Sequence, residues 1–332
     1  MSILRFVSRR PLLCLGALAG LWWLWPDAAE RPRPAAAPAV QAAVLADGFA
    51  AIDGGRRVAT WDDDAHRRHE LAVTGAPAGA RVIGLGGRVG LVWRDGRRIA
   101  VGLVEDGGGV EHVQRFGSRV AAMCLGVATN EHRAGVAWFE ATGSVWFVGG
   151  PTSRRSAAAM LAVPGFDPAK ADVCAIASAG EQVALLWTEG SRTSIALCGR
   201  QCGTPRRIEL PKKTAVIGLG CAPGGCVVAT RGEGGATQAT WIGSNGLARW
   251  TQPLPHARPG TPLSITGAGR RIAIAYATAN EPVVVTLAAP GELATVWQGA
   301  SDGVPSVVAA GDRLLVARSV DGALTASLVR AP

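Results

Sequence analysis

Short runs of alternating apolar and polar residues, separated by polar or glycine-rich turns, fill most of the chain beyond residue 40. Residues 86–106 illustrate the pattern, because apolar residues alternate on both sides of a turn at Arg94-Asp95-Gly96-Arg97. Side chains of a β-strand point alternately to opposite faces of its sheet, so a period of two residues favours strands. We therefore predict an all-β protein built of short strands and tight turns.

One strand phrase recurs seven times, and the last residues of successive copies lie 40 to 49 positions apart. Units of about forty residues made only of strands are typical of propeller blades. We predict a seven-bladed β-propeller over residues 41–332, and a count of six blades stays open if the first unit is degenerate. The phrases are FAAID, RVGLVW, RAGVAW, QVALLW, GCVVAT, RIAIAY and RLLVAR, ending at Asp53, Trp93, Trp138, Trp187, Thr230, Tyr276 and Arg318.

The strands around each phrase change from small and apolar to polar. The preceding strand is short and rich in small residues, as in VIGLG, which suits the crowded centre of a ring. The strand that closes most units is polar, as in VEHVQRF, which suits an exposed rim. We predict that the aromatic residues at equivalent positions pack between neighbouring blades; these are Trp93, Trp138, Trp187 and Tyr276.

The last unit ends after its third strand, at Val329. A fourth strand would have to come from residues near 35–41. Pro34 and Pro38 oppose such pairing, because proline has no amide hydrogen for the ladder. We therefore expect a last blade of three strands.

This repeat resembles the β-propeller superfamily, and most closely the secreted propellers that carry degenerate Gly-x-x-apolar-x-apolar-Trp phrases. Residues 245–250, NGLARW, also resemble the glycine-plus-four-tryptophan repeat of quinoprotein-type propellers and the related outer-membrane assembly scaffolds. Those families carry several copies and this chain has one clear copy, so the resemblance supports the fold more than a cofactor. Sialidase-type propellers carry Ser-x-Asp-x-Gly-x-Thr-Trp boxes, and the sequence contains no intact box.

The N-terminal residues have the features of a targeting segment. Three arginines and no acid precede an apolar run of fourteen residues at 12–25, LLCLGALAGLWWLW. As a helix the run would span about 21 Å, less than the ~30 Å hydrocarbon core of a membrane, so it has signal-peptide length. We assign residues 1–29 to a signal peptide or an uncleaved membrane anchor, and the Pro/Ala-rich residues 30–40 to a linker.

The first residues are compatible with two export routes. Arg9 and Arg10 with the leucines that follow resemble the twin-arginine export signal, and a general secretory signal is the alternative. A candidate cleavage site at residues 37–39 precedes Val40. The predicted location is periplasmic or extracellular, with attachment to the inner membrane if the segment is not cleaved.

The distribution of charged residues along the chain bears on whether it binds nucleic acid. The formal net charge of +9 falls to +6 without residues 1–39, which carry five arginines and two acids. The remaining basic residues are dispersed, whereas nucleic-acid-binding domains concentrate them in a patch or stripe. We therefore predict no nucleic-acid partner. We also predict membrane contact only through the N-terminal segment, and a monomer.

Two short cysteine pairs suggest local cross-links. Cys198 and Cys202 flank a turn, and Cys221 and Cys226 flank a hairpin. In an exported protein such pairs are expected to form disulfides, and a zinc site of four thiolates is the alternative. Two more cysteines lie on inner strands of adjacent units, either as buried apolar residues or as a third bridge: Cys124 and Cys174.

The densest polar cluster is residues 61–70, WDDDAHRRHE. Its carboxylates suit calcium and its histidines suit a transition metal. Its charges nearly balance and it joins two outer strands, so we predict a solvated turn. We assign no metal and no cofactor, with calcium or zinc as alternatives.

Loops from every blade of a propeller converge around the mouth of the central channel, where ligands commonly bind. Connections between blades share this face with the turns between second and third strands. The longest predicted connections are residues 163–172 and 253–262. We predict a binding site at this face with these polar contacts: Lys170, Lys212, Lys213, His256, Arg258, Arg94, Glu140 and Glu189.

The sequence contains no nucleophile elbow with plausible partners and no phosphate-binding loop, so we favour a protein that is not an enzyme. The preferred function is an exported cell-envelope scaffold that binds a protein or a glycan. The alternative is an exported hydrolase or lyase acting on sugars or anionic substrates at the channel mouth. A quinone- or metal-binding propeller is a third hypothesis.

Overall fold

A computed structural model describes residues 40–330 apart from short gaps, and between residues 117 and 162 it describes the backbone of strands only. The gaps are residues 55, 78, 86, 97, 117–119, 131–132, 141–143, 150–157, 168–169, 180–181, 200, 212 and 280–282. The predicted signal or anchor at residues 1–29 and nearly all of the predicted linker lie outside the described residues.

The described residues form β-strands and one short 3-10 turn at Glu233–Gly235, which confirms the all-β class. No helix formed by these residues is long and apolar enough to cross a membrane. The first strands are β1 (Val40–Leu45), β2 (Gly48–Asp53), β3 (Arg57–Trp61), β4 (Arg67–Ala72), β5 (Arg81–Leu85), β6 (Arg88–Asp95), β7 (Arg98–Val104), β8 (Val110–Phe116), β9 (Val120–Asn130), β10 (Arg133–Glu140), β11 (Ser144–Gly149), β12 (Ala158–Ala162), β13 (Val173–Ala179) and β14 (Gln182–Glu189). The others are β15 (Arg192–Cys198), β16 (Arg206–Ile208), β17 (Ala215–Ala222), β18 (Gly225–Arg231), β19 (Thr237–Gly243), β20 (Ala248–Pro253), β21 (Leu263–Ala268), β22 (Arg271–Ala277), β23 (Val283–Ala289), β24 (Glu292–Gly299), β25 (Ser306–Ala310), β26 (Arg313–Val320) and β27 (Ala323–Arg330).

Consecutive strands pair antiparallel into small sheets. Six sheets have four strands each and form full blades, from β1–β4 to β21–β24 in chain order. The seventh phrase forms a three-stranded sheet, β25–β27, as its early end predicts. This last sheet ends at Arg330, one residue beyond the predicted end.

The sheets are arranged in a ring, because the first strand of each sheet lies beside the first strand of the next and β25 lies beside β1. These inner strands surround the axis, and the fourth strands lie at the rim. Val40 and Gln41 begin the inner strand β1, pairing with Asp53 and Ile52. They are therefore not available as an outer strand for the last sheet.

Apolar side chains on both faces of the sheets pack between neighbouring blades. One cluster joins Ile52 of the first sheet to Leu91 and Trp93 of the second. Another contains Tyr276 of the sixth sheet together with Trp241 of the fifth. The prediction that aromatic residues fill these interfaces is thus confirmed for Trp93 and Tyr276.

The contacts described for Trp187 and Trp138 do not test whether these residues pack against a neighbouring blade. Trp187 is buried and meets Phe166 edge-on, with ring centroids 5.2 Å apart. The side chain of Trp138 lies outside the described residues. Each fully buried large apolar side chain contributes about 1.5–3 kcal/mol, so these interfaces supply much of the stability of the ring.

Glycine allows inner strands of adjacent sheets to approach each other closely. A Cβ atom built on Gly84 would lie 1.8 Å from the carbonyl oxygen of Val44, in the neighbouring inner strand. On Gly267 it would lie 2.1 Å from the carbonyl oxygen of Cys221. Both distances are far inside van der Waals contact, so only glycine fits at these two positions.

Contacts between the last and first sheets close the ring. The backbone amide of Ala42 donates to Oγ of Ser306 at 2.9 Å, and Arg313 lies 3.3 Å from the carboxylate of Asp63. The guanidinium of Arg57 also donates to the carbonyl oxygen of Gly322. Closure therefore uses side chains and an apolar cluster shared by these two sheets, without an exchanged strand.

Candidate interaction face

One end of the ring collects two kinds of loop. Antiparallel strands reverse direction at every turn, so the outer strand of one sheet ends where the inner strand of the next begins. The turns between second and third strands lie at the same end. We call this end the loop face; its connections between sheets, apart from the residues outside the description, are 73–80, 163–172, 209–214, 254–262 and 300–305.

Lys170 lies on the loop face in connection 163–172, with its Nζ atom 3.0 Å from Oδ2 of Asp167. The hydrogen bond to Asp167 raises the pKa of Lys170, and the nearby negative charge of Glu189 acts in the same direction. Glu189, at the end of β14, accepts a hydrogen bond of 3.2 Å from Nε1 of Trp187. The structure thus brings together two predicted site residues, Lys170 and Glu189.

Lys213 pairs with a turn of the fifth sheet on the loop face. It lies in connection 209–214 with a φ of 57°, and its Nζ atom is 3.0 Å from Oε1 of Glu233. Glu233 belongs to the turn after β18, and connection 209–214 leads into β17 of the same sheet. Both side chains are about 70% exposed, so this ion pair is open to a partner (73% for Lys213 and 70% for Glu233). Lys212 lies outside the described residues.

The other predicted site residues lie apart from these two ion pairs. His256 and Arg258 are exposed in connection 254–262, and Arg94 is exposed at the end of β6, where its Nε atom donates to the carbonyl of Gly96. Glu140 ends β10, and its side chain lies outside the described part of the chain. Among the side chains that are described, no hydrogen bond or ion pair joins His256, Arg258 or Arg94 to the lysines. The predicted residues are therefore spread around the ring.

Sequence reasoning did not single out two aspartates that organise loop-face turns. Oδ2 of Asp172 accepts a hydrogen bond of 2.7 Å from the backbone amide of Gly190. Asp53 accepts a hydrogen bond of 2.7 Å from the backbone amide of Arg57 and also pairs with the Arg57 guanidinium. Aspartate commonly fixes turns through such side chain to backbone bonds. Asp53 ends β2 and Asp172 directly precedes β13, and these positions at strand boundaries were the available signal.

Arg81 was also not among the site residues predicted from the sequence. It begins β5, and it is the only charged residue at the first position of the seven inner strands that the structure describes. Burial lowers the pKa of its guanidinium, which nevertheless stays charged at neutral pH. A cation is therefore built into the inner ring at the loop-face end of the second sheet.

The predicted disulfides are confirmed. Cys198 pairs with Cys202 and Cys221 pairs with Cys226, each with Cα atoms 4.0 Å apart. Bridged sulfurs have no thiolate to offer, so the alternative of a zinc site made of these four residues is wrong. Cys174 is also disulfide-bonded, and the side chain of Cys124 lies outside the described residues.

The carboxylates of residues 61–70 hold the turn and its neighbours. Oδ1 of Asp62 accepts hydrogen bonds from the backbone amides of Asp64 and His66, and the bond from His66 is the largest cause of its lowered pKa. Asp63 pairs with Arg313 of the last sheet. These carboxylates are therefore engaged with the protein itself.

A separate acidic group lies at the opposite end of the ring. Ligand atoms of Glu105, Glu111 and His112 lie within 4.8 Å of one another, on residues that are partly or fully exposed. Glu105 also forms an ion pair of 2.8 Å with Arg88. Oxygen and imidazole ligands suit a divalent cation, but no further observation points to one.

Comparisons with known proteins complete the description of the fold. No protein-family model matches the chain, and no curated protein sequence matches it. The WD40 repeats of RRP9 superpose with a TM-score of 0.57 at 10% identity, covering 89% of this chain and 95% of that one. BBS1N in complex with ARL6DN gives 0.53 at 14% identity, covering 90% and 93%.

The chain folds as a β-propeller. This confirms the resemblance inferred from the repeated phrases, and at these identities the similarity establishes the fold alone. BamB from Moraxella catarrhalis superposes with a TM-score of 0.48 at 12% identity, covering 87% of this chain and 83% of that one. That similarity is too low for us to draw anything further from it.

Proposed function

We propose that this propeller is a non-enzymatic scaffold of the cell envelope that binds a partner protein through its loop face. The observation that carries the proposal is the exposed Lys213–Glu233 ion pair, which joins the connection before β17 to the turn after β18 on the loop face. Exposed ion pairs contribute little to stability, about 0–1 kcal/mol, so their charges are free to be used in recognition. Lys170 with Asp167 presents a second exposed pair on the same face.

A protein partner is supported by the pattern of carboxylates. Asp167 and Glu233 face lysines, and Asp172 holds a backbone amide. Such groups provide alternating charge for complementary contacts on a partner surface. BBS1N, which shares the fold, was crystallised in complex with ARL6DN, so a propeller of this kind can carry a protein. A glycan partner and the hydrolase or lyase alternative stay predictions from the sequence.

Two features of the chain support export to the envelope as part of this proposal. The apolar run at residues 12–25 follows three arginines, and disulfides such as Cys221–Cys226 persist mainly in oxidising compartments. We further infer that the three-stranded sheet β25–β27 counts as a seventh blade, of which the described residues form three strands. Cell fractionation of the full-length chain, with the double variant Arg9→Lys/Arg10→Lys, tests export and its route together.

Partner binding is tested by charge reversal on the loop face. Full-length protein and the double variant Lys170→Glu/Lys213→Glu are used to capture partners from envelope extract, and the captured protein is then titrated against each. We expect the double variant to bind at least about tenfold more weakly, because each reversal replaces attraction with like-charge repulsion. Arg270→Glu is the matched control, since Arg270 is exposed in the turn between β21 and β22 at the opposite end of the ring.

Three results would count against this function. Equal binding by the double variant and the wild type would remove the loop face from recognition. Equal loss in the Arg270→Glu control would show a general effect of net charge. Loss of capture after glycan digestion of the extract would indicate a carbohydrate ligand.

A further inference from the structure

The outer side of β27 is unlike that of every other third strand in the ring. The third strands of the six full blades are each covered by a fourth strand, whereas β27 is the last strand of its sheet. Among the described residues, no backbone hydrogen bond reaches the outer side of β27. In an antiparallel edge strand every second residue directs its N–H and C=O groups outward, so this edge offers about four such residues.

The side chains of β27 extend the apolar interfaces on both sides of its sheet. Leu324, Ala326 and Leu328 pack toward the first sheet, and Val329 packs toward the sixth. Only Leu324 and Val329 are buried in this strand of eight residues. The equivalent strand β23, which has a fourth strand beside it, has six buried residues of seven. The partly exposed side chains therefore have room to bury further apolar area.

The charged residues at the end of β27 indicate which end of an added strand would carry a carboxylate. Arg330, exposed at the end of β27, pairs in the ladder with Arg313. Arg313 is balanced by Asp63 at 3.3 Å, and no ion pair to Arg330 occurs among the described residues. Two arginines in register repel each other, so a carboxylate beside Arg330 would be favourable. A fourth strand would run antiparallel to β27 and would therefore begin at this end.

We propose that the β27 edge binds an extended strand of another protein as the missing fourth strand. The strand has about six residues, alternates small apolar and polar side chains, and begins with an acidic residue beside Arg330. Such strand addition gains affinity from backbone hydrogen bonds and specificity from alternate side chains. The chain's own residues 30–39, ERPRPAAAPA, are a poor occupant, because three prolines lack the required amide hydrogen. The proposal goes beyond the proposed function and concerns a different surface from the loop face.

The test uses fluorescent synthetic peptides and the full-length protein. Acetyl-EVTVTA-amide is the probe, and the reversed sequence ATVTVE is its control for direction. Alternate residues of a bound strand direct their N–H groups toward β27 or away from it. Two further versions of the probe therefore carry N-methyl groups on one or the other set of alternate amides, so that each version lacks the N–H donors of one edge. We expect saturable binding of the probe, about tenfold or greater loss for the reversed peptide, and loss for only one N-methylated version.

Variants of the protein test the charged end. Arg330→Gln should weaken binding of the EVTVTA peptide about two- to fivefold, and should leave binding of a QVTVTA peptide unchanged. Arg207→Gln is the matched control, because Arg207 is exposed on the outer strand β16 of a full blade. The loop-face variant Lys170→Glu/Lys213→Glu should bind the peptide normally, so the two proposals fail separately.

Hydrogen exchange of the β27 amides identifies any occupant already present. In the free full-length protein the outward amides should exchange quickly, and the peptide should slow them. Slow exchange without peptide would overturn the proposal in favour of the chain's own N-terminal segment, or of a second copy if size-exclusion chromatography shows a dimer. No saturable binding at about millimolar peptide, equal binding of the reversed peptide, or equal binding of both N-methylated versions would also overturn it.

Discussion

At the scale of single residues, the ring depends on side chains that are small enough to let inner strands meet. The sequence pattern already indicated glycine and alanine at the centre. The structure shows which glycine is constrained by a neighbouring strand and which is not. Gly84 faces the backbone of Val44 in the next sheet, whereas Gly107 lies in an exposed turn with no atom within 4 Å of an added Cβ.

Gly84→Ala should destabilise the fold. The new methyl carbon would lie 1.8 Å from the carbonyl oxygen of Val44, so the two inner strands must separate. Such overpacking costs about 1–3 kcal/mol of unfolding free energy, measured by urea denaturation. Gly107→Ala is the control and should be neutral or slightly stabilising, because it reduces the freedom of the unfolded chain. Equal midpoints for the two variants would contradict the close approach of β1 and β5.

At the scale of single elements, a disulfide cross-links the two strands of one hairpin, β17 and β18. β17 and β18 are joined by a tight turn, and Cys221 lies opposite Cys226 in their ladder. Both cysteines are buried in the cluster between the fourth and fifth sheets. The bridge therefore constrains a hairpin and also fills an interface between blades.

The double variant Cys221→Ala/Cys226→Ala should lose about 2 kcal/mol of unfolding free energy, the chain-entropy value for a loop of this length. Alanine keeps the site apolar, so a polar group is not introduced into the cluster. The measurement is urea unfolding with and without reductant. Reductant should lower the midpoint of the wild type more than that of the variant. An unchanged midpoint in the variant would mean that the bridge does not contribute to stability.

At the scale of the whole molecule, closure joins sheets that are farthest apart in sequence. Ser306 accepts the amide of Ala42 across 264 positions of chain, and Ser264 accepts the amide of Val307 between the sixth and last sheets. A four-stranded sheet alone cannot bury both faces. The ring should therefore unfold as one cooperative unit that depends on every interface.

Ser306→Ala should lower the unfolding free energy by about 1–3 kcal/mol, because the partly buried amide of Ala42 loses its acceptor. The transition should stay single, with coincident curves from tryptophan fluorescence and circular dichroism. Ser264→Ala is the matched variant at an interface that does not close the ring, and it should cost a similar amount. Separate transitions for the two probes would show that the first and last sheets unfold independently.

Much of the fold was predictable because its signal is local. Strands such as β6 and β22 begin at the first residue of their predicted phrases, since alternation and turn residues act over a few positions. The last repeat unit ends after its third strand, and this predicted that the last sheet has three strands. The pairing of Cys221 with Cys226 followed from hairpin geometry. The use of Val40 in β1 was not foreseen, because an inner and an outer strand share the same alternation.

The sequence by itself determined the strand pattern, the repeat and the local disulfides, because each depends on neighbours in the chain. Tertiary structure alone decided which charges meet on the loop face, as in Lys213 with Glu233, and how the ring closes through Ser306 and Ala42. It also decided that, among the described strands, none pairs with the outer edge of β27. These features depend on residues that are distant in the sequence, and no short-range pattern of residues encodes their arrangement in space.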